Sequence, residues 1–121
     1  MKSSITVYGA EPEEADDAYQ SLKLGRIVPN KTINTICDGL RAQIGSKTFP
    51  VIQNLVDDII PIAEEDIINS LRMIWERLKI IVEPSCSIAL ALIINNKQLF
   101  EGHNVGLIMS GGNLDLDNLP W

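Results

Sequence analysis

Aromatic side chains are scarce at 5 % of the chain, and the sequence holds only two cysteines and a single histidine. Each shortage excludes something. Cys37 and Cys86 stand far apart without a CxxC pair, and His103 has no histidine to join it, so neither a disulfide framework nor a zinc knuckle has its parts. Both thiols are expected to be buried and reduced. Long apolar runs are missing as well: the longest, residues 87–94, falls far below the roughly 20 residues a membrane span needs. Residues 1–4 bring one lysine with no apolar core behind it, which gives no secretion signal and makes a cytoplasmic protein the expectation. Positive charge is the last shortage. Ten Lys and Arg against sixteen Asp and Glu leave a net charge of -6, which repels both a phosphate backbone and an anionic bilayer. Neither nucleic acid nor a membrane is an expected partner.

What is there is an ordinary globular composition, 45 % apolar and 21 % charged over 121 residues, enough for one domain with no internal boundary. Alternating Ile5 and Val7, then Tyr8, predict a strand over 5–10 that stops at Gly9 and an acidic cluster. A short helix over 15–22 follows, with Asp16 and Asp17 in its first turn and Gly25 closing it. Residues 26–47 read as connecting structure, with room for a short helix over 33–42. Thr48 and Pro50 open a helix over 49–56, and 58–62 reads as a strand. The clearest pattern is the stripe Ile67, Leu71, Ile74 and Leu78, widened by Ile68 and Trp75, preceded by Glu64, Glu65 and Asp66 and followed by Arg77 and Lys79. It predicts an amphipathic helix whose charges complement its dipole. Pro84 opens a second helix over 85–95 that is apolar nearly all round and should be buried on several sides. Residues 104–109 read as a last apolar strand, and Ser110-Gly111-Gly112-Asn113 as the turn after it. The tail, 114–121, brings only two acids, a proline and a terminal tryptophan.

The alternation predicts an α/β fold with an incomplete, largely parallel sheet and flanking helices. Three strands beside several very apolar helices are too few to cover them, so apolar surface stays exposed unless another chain supplies strands.

Several residues are candidates for chemistry. Glu11, Glu13, Glu14, Asp16 and Asp17 crowd five carboxylates after a strand, where open α/β sheets place their active loops; oxygen-rich clusters suit Mg²⁺ or Ca²⁺, and a solvated acidic loop explains them too. The Ser110 to Asn113 turn faces either a ligand or only the demands of a tight turn. Glu83 is either a helix-start acid or a carboxylate turned inward that needs a partner. Arg77 and Lys79 read as a solvated helix end, and His103 as a surface residue or a base.

Five segments in order resemble the serine racemase and serine/threonine dehydratase family, threo-3-hydroxyaspartate ammonia-lyases included. They are Tyr8-Gly9-Ala10-Glu11-Pro12 with Ala15-Asp16-Asp17; Cys37-Asp38-Gly39-Leu40; Trp75-Glu76-Arg77-Leu78-Lys79; Val82-Glu83-Pro84-Ser85; and Ser110-Gly111-Gly112-Asn113. The resemblance implies fold type II of the pyridoxal-phosphate enzymes and places the chain in the C-terminal part of the larger domain. It implies a hydroxy amino-acid substrate in the complete enzyme, a homo-oligomer, and a Mg²⁺ or Ca²⁺ site at Glu11, the Ala15 carbonyl and Asp17. It puts Ser110 against the pyridine nitrogen of the cofactor, Gly39 and Glu83 beside the cofactor pocket, and Lys79 and Asn113 at a nucleotide.

Two parts are missing from that pattern. The family carries its cofactor on a lysine in a Ser-x-Lys-x-Arg-Gly setting, and none of Lys2, Lys23, Lys31, Lys47, Lys79 or Lys97 has it. The Gly-rich loop that cradles the cofactor phosphate is absent too, since Gly111-Gly112 is the sole glycine pair. Cys86 and Ser87 stand where relatives carry smaller residues, which implies extra bulk near the pocket. The expectation is a C-terminal fragment, inactive alone, with an N-terminal half chain among the partners it could take. A noncatalytic relic, a small cation-binding module and one half of a split enzyme are the alternatives.

Overall fold

The computed structural model of the chain describes residues 4–121. β1 (Tyr8–Pro12) and β2 (Asp58–Ile62) pair in parallel, Tyr8 opposite Asp58 and Pro12 opposite Ile62. The crossover between them carries α1 (Asp17–Leu24), a 3-10 turn over Asp38–Leu40 and α2 (Phe49–Leu55). After β2 come α3 (Glu64–Leu78), α4 (Pro84–Asn95) and the single turn α5 (Lys97–Phe100).

Local chemistry explains most boundaries. Gly25 ends α1 in the left-handed conformation, φ 65°, open to a residue without a Cβ. Pro50 and Pro84 sit in the first turns of α2 and α4, where a missing N–H costs no helical bond. Glu64, Glu65 and Asp66 fill the first turn of α3 and Arg77 its last. Lys79 caps that helix at φ 60°, a left-handed conformation that a residue with a side chain rarely adopts.

The core is made where α3 meets α4 and α4 meets the sheet. Ile67 of α3 packs with Ile62 of β2, with Ile88, Ala91 and Leu92 of α4, and with Cys37; Tyr8 and Phe100 border this cluster edge to face, 5.5 Å between ring centres. Leu71, Ile74, Val82 and Cys86 form a second cluster. Both thiols are buried and free, as expected. Two serines fasten the helices. Ser70 Oγ donates to the Ser87 carbonyl at 3.0 Å, and Ser87 Oγ reaches the Ile67 carbonyl at 3.2 Å. Cys86 and Ser87 therefore turn toward α3, and the extra bulk expected beside the pocket is spent inside the helix pair.

The structure revises four expectations. The first strand lies over Tyr8–Pro12 instead of 5–10, because its ladder partner is β2, whose C-terminal end carries the register on to Pro12. The possible helix over 33–42 shrinks to one 3-10 turn: Thr35 and Ile36 ahead of it bond to Glu64 instead of continuing a helix. Residues 104–109 form no strand, since no described strand lies beside them to complete a ladder. Leu78, placed on the buried stripe of α3, is more than half exposed, as the stripe loses its cover in the last turn. The tail gains a role, because Trp121 packs edge to face on Trp75, 5.4 Å between ring centres.

Candidate functional site

Two clusters gather the residues the sequence singled out, one at each of two helix N-termini. At α1, the carboxylate of Glu11, projecting from β1, accepts the Ala18 amide at 3.2 Å and the Tyr19 amide at 2.7 Å. A side chain from a neighbouring strand thus satisfies two amides that the helix itself leaves open, and no side chain at the N-cap position does so. Burial pushes the Glu11 carboxyl up to about 7, with Asp17 and Asp16 adding repulsion and the two amides pulling the other way. Asp17 is 2 % exposed. Its oxygens accept the Asn30 amide at 2.9 Å and the Ile44 backbone N–H at 2.6 Å, so it ties the crossover loop to the helix. Ala15 is buried as well. Of the expected set, Glu11 bonds amides at the start of α1 and Asp17 stands in that first turn, whereas Glu13 and Glu14 are exposed. Among the described residues no group of three or more His, Cys, Asp and Glu is arranged to hold a metal.

At α4, Glu83 occupies the N-cap position with extended backbone. Gly39, in the 3-10 turn, donates its N–H to Ser85 Oγ at 3.2 Å, which fixes the Cys37 to Leu40 segment against the first turn of the helix. Residues 110–112 approach from the other side. The Glu83 N–H donates to the Gly111 carbonyl at 3.1 Å. A Cβ on Gly111 would stand 2.6 Å from Glu83 Oε1, and one on Gly112 would stand 2.7 Å from the Ile81 carbonyl oxygen. Gly112 is therefore needed for backbone to lie this close to backbone, while Gly111 leaves room for the Glu83 carboxylate. Gly39 and the 111–112 backbone thus both meet the start of α4, at Ser85 and at Ile81 and Glu83, and Ser110 beside them is exposed.

A groove of about 280 Å³ adjoins this cluster, lined by Ile36, Asp38, Arg41, Pro84 and Asn113 among others. Asn113 thus reaches it, while Lys79, at the end of α3, does not. Arg41, Asp38 and Glu64 are neighbours the sequence did not single out. Arg41 donates from Nε and Nη2 to the Thr35 carbonyl at 3.1 and 2.6 Å. Glu64 accepts from Thr35 Oγ1 and the Ile36 N–H through one oxygen, while its other oxygen is buried with no hydrogen bond. Asp38 and Arg41 lie next to Gly39 in the sequence, and Glu64 was read only as a helix-start acid. His103 is exposed and lines a second, larger groove.

A family model described as pyridoxal-phosphate dependent enzyme matches residues 1–111. The β-hydroxyaspartate dehydratase of Paracoccus denitrificans (strain Pd 1222) is 42 % identical over 115 residues, 95 % of this chain and 36 % of that protein. The serine racemase of Arabidopsis thaliana is 44 % identical over 124 residues, 98 % of this chain and 38 % of that protein. Among solved structures, maize serine racemase superposes with a TM-score of 0.89 at 42 % identity, covering 94 % of this chain and 36 % of that one. The chain thus spans little more than a third of the length of the curated relatives it matches, in their C-terminal portion. With the match running through both residue clusters and nearly end to end, this chain belongs to the pyridoxal-phosphate-dependent enzyme family.

Proposed function

We propose that the chain acts as the C-terminal portion of a pyridoxal-phosphate-dependent serine/threonine ammonia-lyase or serine racemase, supplying contact to the cofactor ring and a divalent-cation site. The observation that carries this reading is that Gly39 and Gly111 both bond to the start of α4, Gly39 at Ser85 and Gly111 at Glu83, with Ser110 next in the chain. The residues suit the ring side of such a cofactor. The Ser110 hydroxyl is exposed, the backbone on either side of the cluster is glycine, and a flat ring needs close approach without side chains. When bound, the cofactor supplies the electron sink that stabilises negative charge at the substrate α-carbon. Ser110 would offer its hydroxyl to the ring nitrogen as a neutral partner, which does not hold the ring protonated as a carboxylate does. Glu83 and Gly39 would border the ring, Glu83 held in place by its backbone bond to Gly111.

The phosphate cradle and the amine that attacks the cofactor are not supplied by this cluster. None of the described lysines lines either groove, and Lys23 lies over the Tyr19 ring, 5.2 Å away on α1. Those parts come from the polypeptide that relatives carry beyond the matched region, as does the grip on a hydroxy amino-acid substrate. The cation reading rests on the carboxylates of Glu11, half-buried, and Asp17, buried, with Ala15 two residues earlier; each carboxylate oxygen that already accepts an N–H keeps a lone pair for Mg²⁺ or Ca²⁺. Nucleotide contact at Asn113 and Lys79, a homo-oligomer and a cytoplasmic location complete the proposal. No helix of the described residues is long and apolar enough to cross a membrane.

The deciding experiment adds pyridoxal phosphate to the purified chain and follows the visible absorbance of the cofactor with L-serine and L-threonine as substrates. The expected outcome is no new band and no turnover. A borohydride-trapped lysine adduct accompanied by activity would overturn the reading.

A further inference from the structure

The segment 35–41, which carries Gly39, is shaped as a turn by bonds within itself: Thr35 Oγ1 accepts the Cys37 N–H at 3.1 Å, and Arg41 grips the Thr35 carbonyl with two N–H groups. Two helix residues then tie it to the rest of the described fold. Glu64, in the first turn of α3, accepts from Thr35 Oγ1 at 3.0 Å and from the Ile36 N–H, while Ser85, in the first turn of α4, accepts the Gly39 N–H. These helices are themselves joined through the Ser70 and Ser87 hydroxyls, so the turn is held between fixed jaws. The fit is close, since a Cβ at Gly39 would stand 3.0 Å from Ser85 Oγ. Glu64 gives something up to make its bonds. An acid in a first turn ordinarily serves the open amides of its own helix, yet α3 has no side-chain cap, and this carboxylate reaches back 28 residues instead. Its second oxygen is buried with no hydrogen bond, which costs stability. Local costs of this kind collect where geometry is set for function.

We propose that Glu64 is a positioning residue: by holding Thr35 and Ile36 it sets the place of Gly39 against α4, and with it one wall of the cofactor site. The proposal rests on the functional reading above, which puts Gly39 beside the ring. Glu64 itself touches neither ring nor substrate and acts through the turn. Without its carboxylate, the Ile36 N–H and the Thr35 hydroxyl lose their acceptor where Ile36, Cys37 and Leu40 pack on the apolar cluster around Ile67, so the turn gains by moving toward water. It keeps its internal bonds as it moves. The segment then shifts as a unit about the remaining Ser85 contact, and Gly39 shifts with it.

The test treats the chain with limiting iodoacetamide and reads the two buried thiols separately by peptide mass, Cys37 inside the turn and Cys86 in α4. Glu64→Ala should speed labelling of Cys37 about tenfold or more and leave Cys86 within about twofold of the parent, because a local opening frees only the turn. Burial pushes the Cys37 thiol up to about 12 and the Glu64 charge adds to it, so loss of that charge by itself also alters reactivity. Glu64→Gln separates the two effects: it loses the charge, keeps an accepting oxygen, and should label far more slowly than Glu64→Ala. Should Glu64→Ala not fold, Thr35→Val removes the same bond from its other end and carries the same expectation. Equal acceleration at both thiols, no acceleration, or Glu64→Gln labelling as fast as Glu64→Ala overturns the proposal. The wall itself is read by joining the chain to the part of the Arabidopsis serine racemase that lies outside the matched region and measuring retention of pyridoxal phosphate. Glu64→Ala should weaken retention about tenfold and Glu64→Gln less than about twofold. The two readings fail separately: a parent assembly that holds no cofactor defeats the functional reading while the thiols still judge the tether, and cofactor held equally well with Glu64→Ala defeats the positioning role only.

Discussion

Glu11 shows how one side chain answers to two demands. Its carboxylate holds the Ala18 and Tyr19 amides, yet burial lifts its pKa from an ordinary 4.5 to about 7, so the folded chain favours the neutral acid more than the unfolded chain does. The contribution of this group to stability is therefore full below about pH 4.5 and is lost as pH rises through about 7. Thermal melts of Glu11→Gln should show a flatter slope than the parent across that window. The proposed cation acts in the opposite direction. At pH 7.5 millimolar Mg²⁺ or Ca²⁺ should raise the melting temperature of the parent and leave that of Glu11→Gln unmoved; equal shifts in both would remove Glu11 from the site. The glycine pair gives a second residue-scale contrast. Alanine at 111 meets the far end of the Glu83 side chain, which can swing away, whereas alanine at 112 meets the Ile81 carbonyl, which is backbone. Gly112→Ala should cost about 1–3 kcal/mol by chemical denaturation and Gly111→Ala markedly less. Gly111→Ala displaces Glu83 nonetheless, so its effect should fall on cofactor binding in the completed enzyme.

Among the elements, the α3–α4 pair carries the stability. Leu71 is fully buried against Ile74, Val82 and Cys86, and Leu71→Ala should cost about 2–5 kcal/mol in urea melts. Ser87→Ala removes the hydroxyl that reaches the Ile67 and Pro84 carbonyls and should cost ~1 kcal/mol. The exposed Arg72–Glu76 pair, by contrast, joins two side chains that are both more than half in water, so it contributes little. These two helices were also the most legible part of the sequence. The spacing of Ile67, Leu71 and Ile74 is a helical period, and Pro84 marks a helix start by its missing N–H, so both signals are local. The segment 104–109 was not legible in the same way. Its apolar β-formers fix a preference for extended chain, but a strand exists only where a neighbour completes the ladder.

At the scale of the whole molecule, the site residues lie far apart in sequence and meet through the packing of α4. Gly39 is held at the start of α4 because Ser85 accepts its amide, and the segment of Ser110 is held there because Gly111 pairs with Glu83. The motifs named Gly39, Glu83 and Ser110 singly, and Glu11, Ala15 and Asp17 as an acidic turn. The bonds that show why Glu11 and Asp17 are held, to helix amides and to the crossover loop, span distances that residue order does not encode. Arg41 went unnoticed and Glu64 was read only as a helix-start acid for the same reason: each gains its meaning from Thr35, a partner with no motif of its own.

What the sequence determined by itself was whatever short-range chemistry sets: helix periods and caps, the buried state of two cysteines, and the absence of a lysine in the setting that would carry a cofactor. Only the tertiary structure decided that Cys86 and Ser87 face α3, that Trp121 folds back on Trp75, and that 104–109 stays out of the sheet. Those outcomes depend on which surfaces find a partner to exclude water or share a hydrogen bond. That partner is chosen by the whole fold, and a run of residues specifies only its own half of the contact.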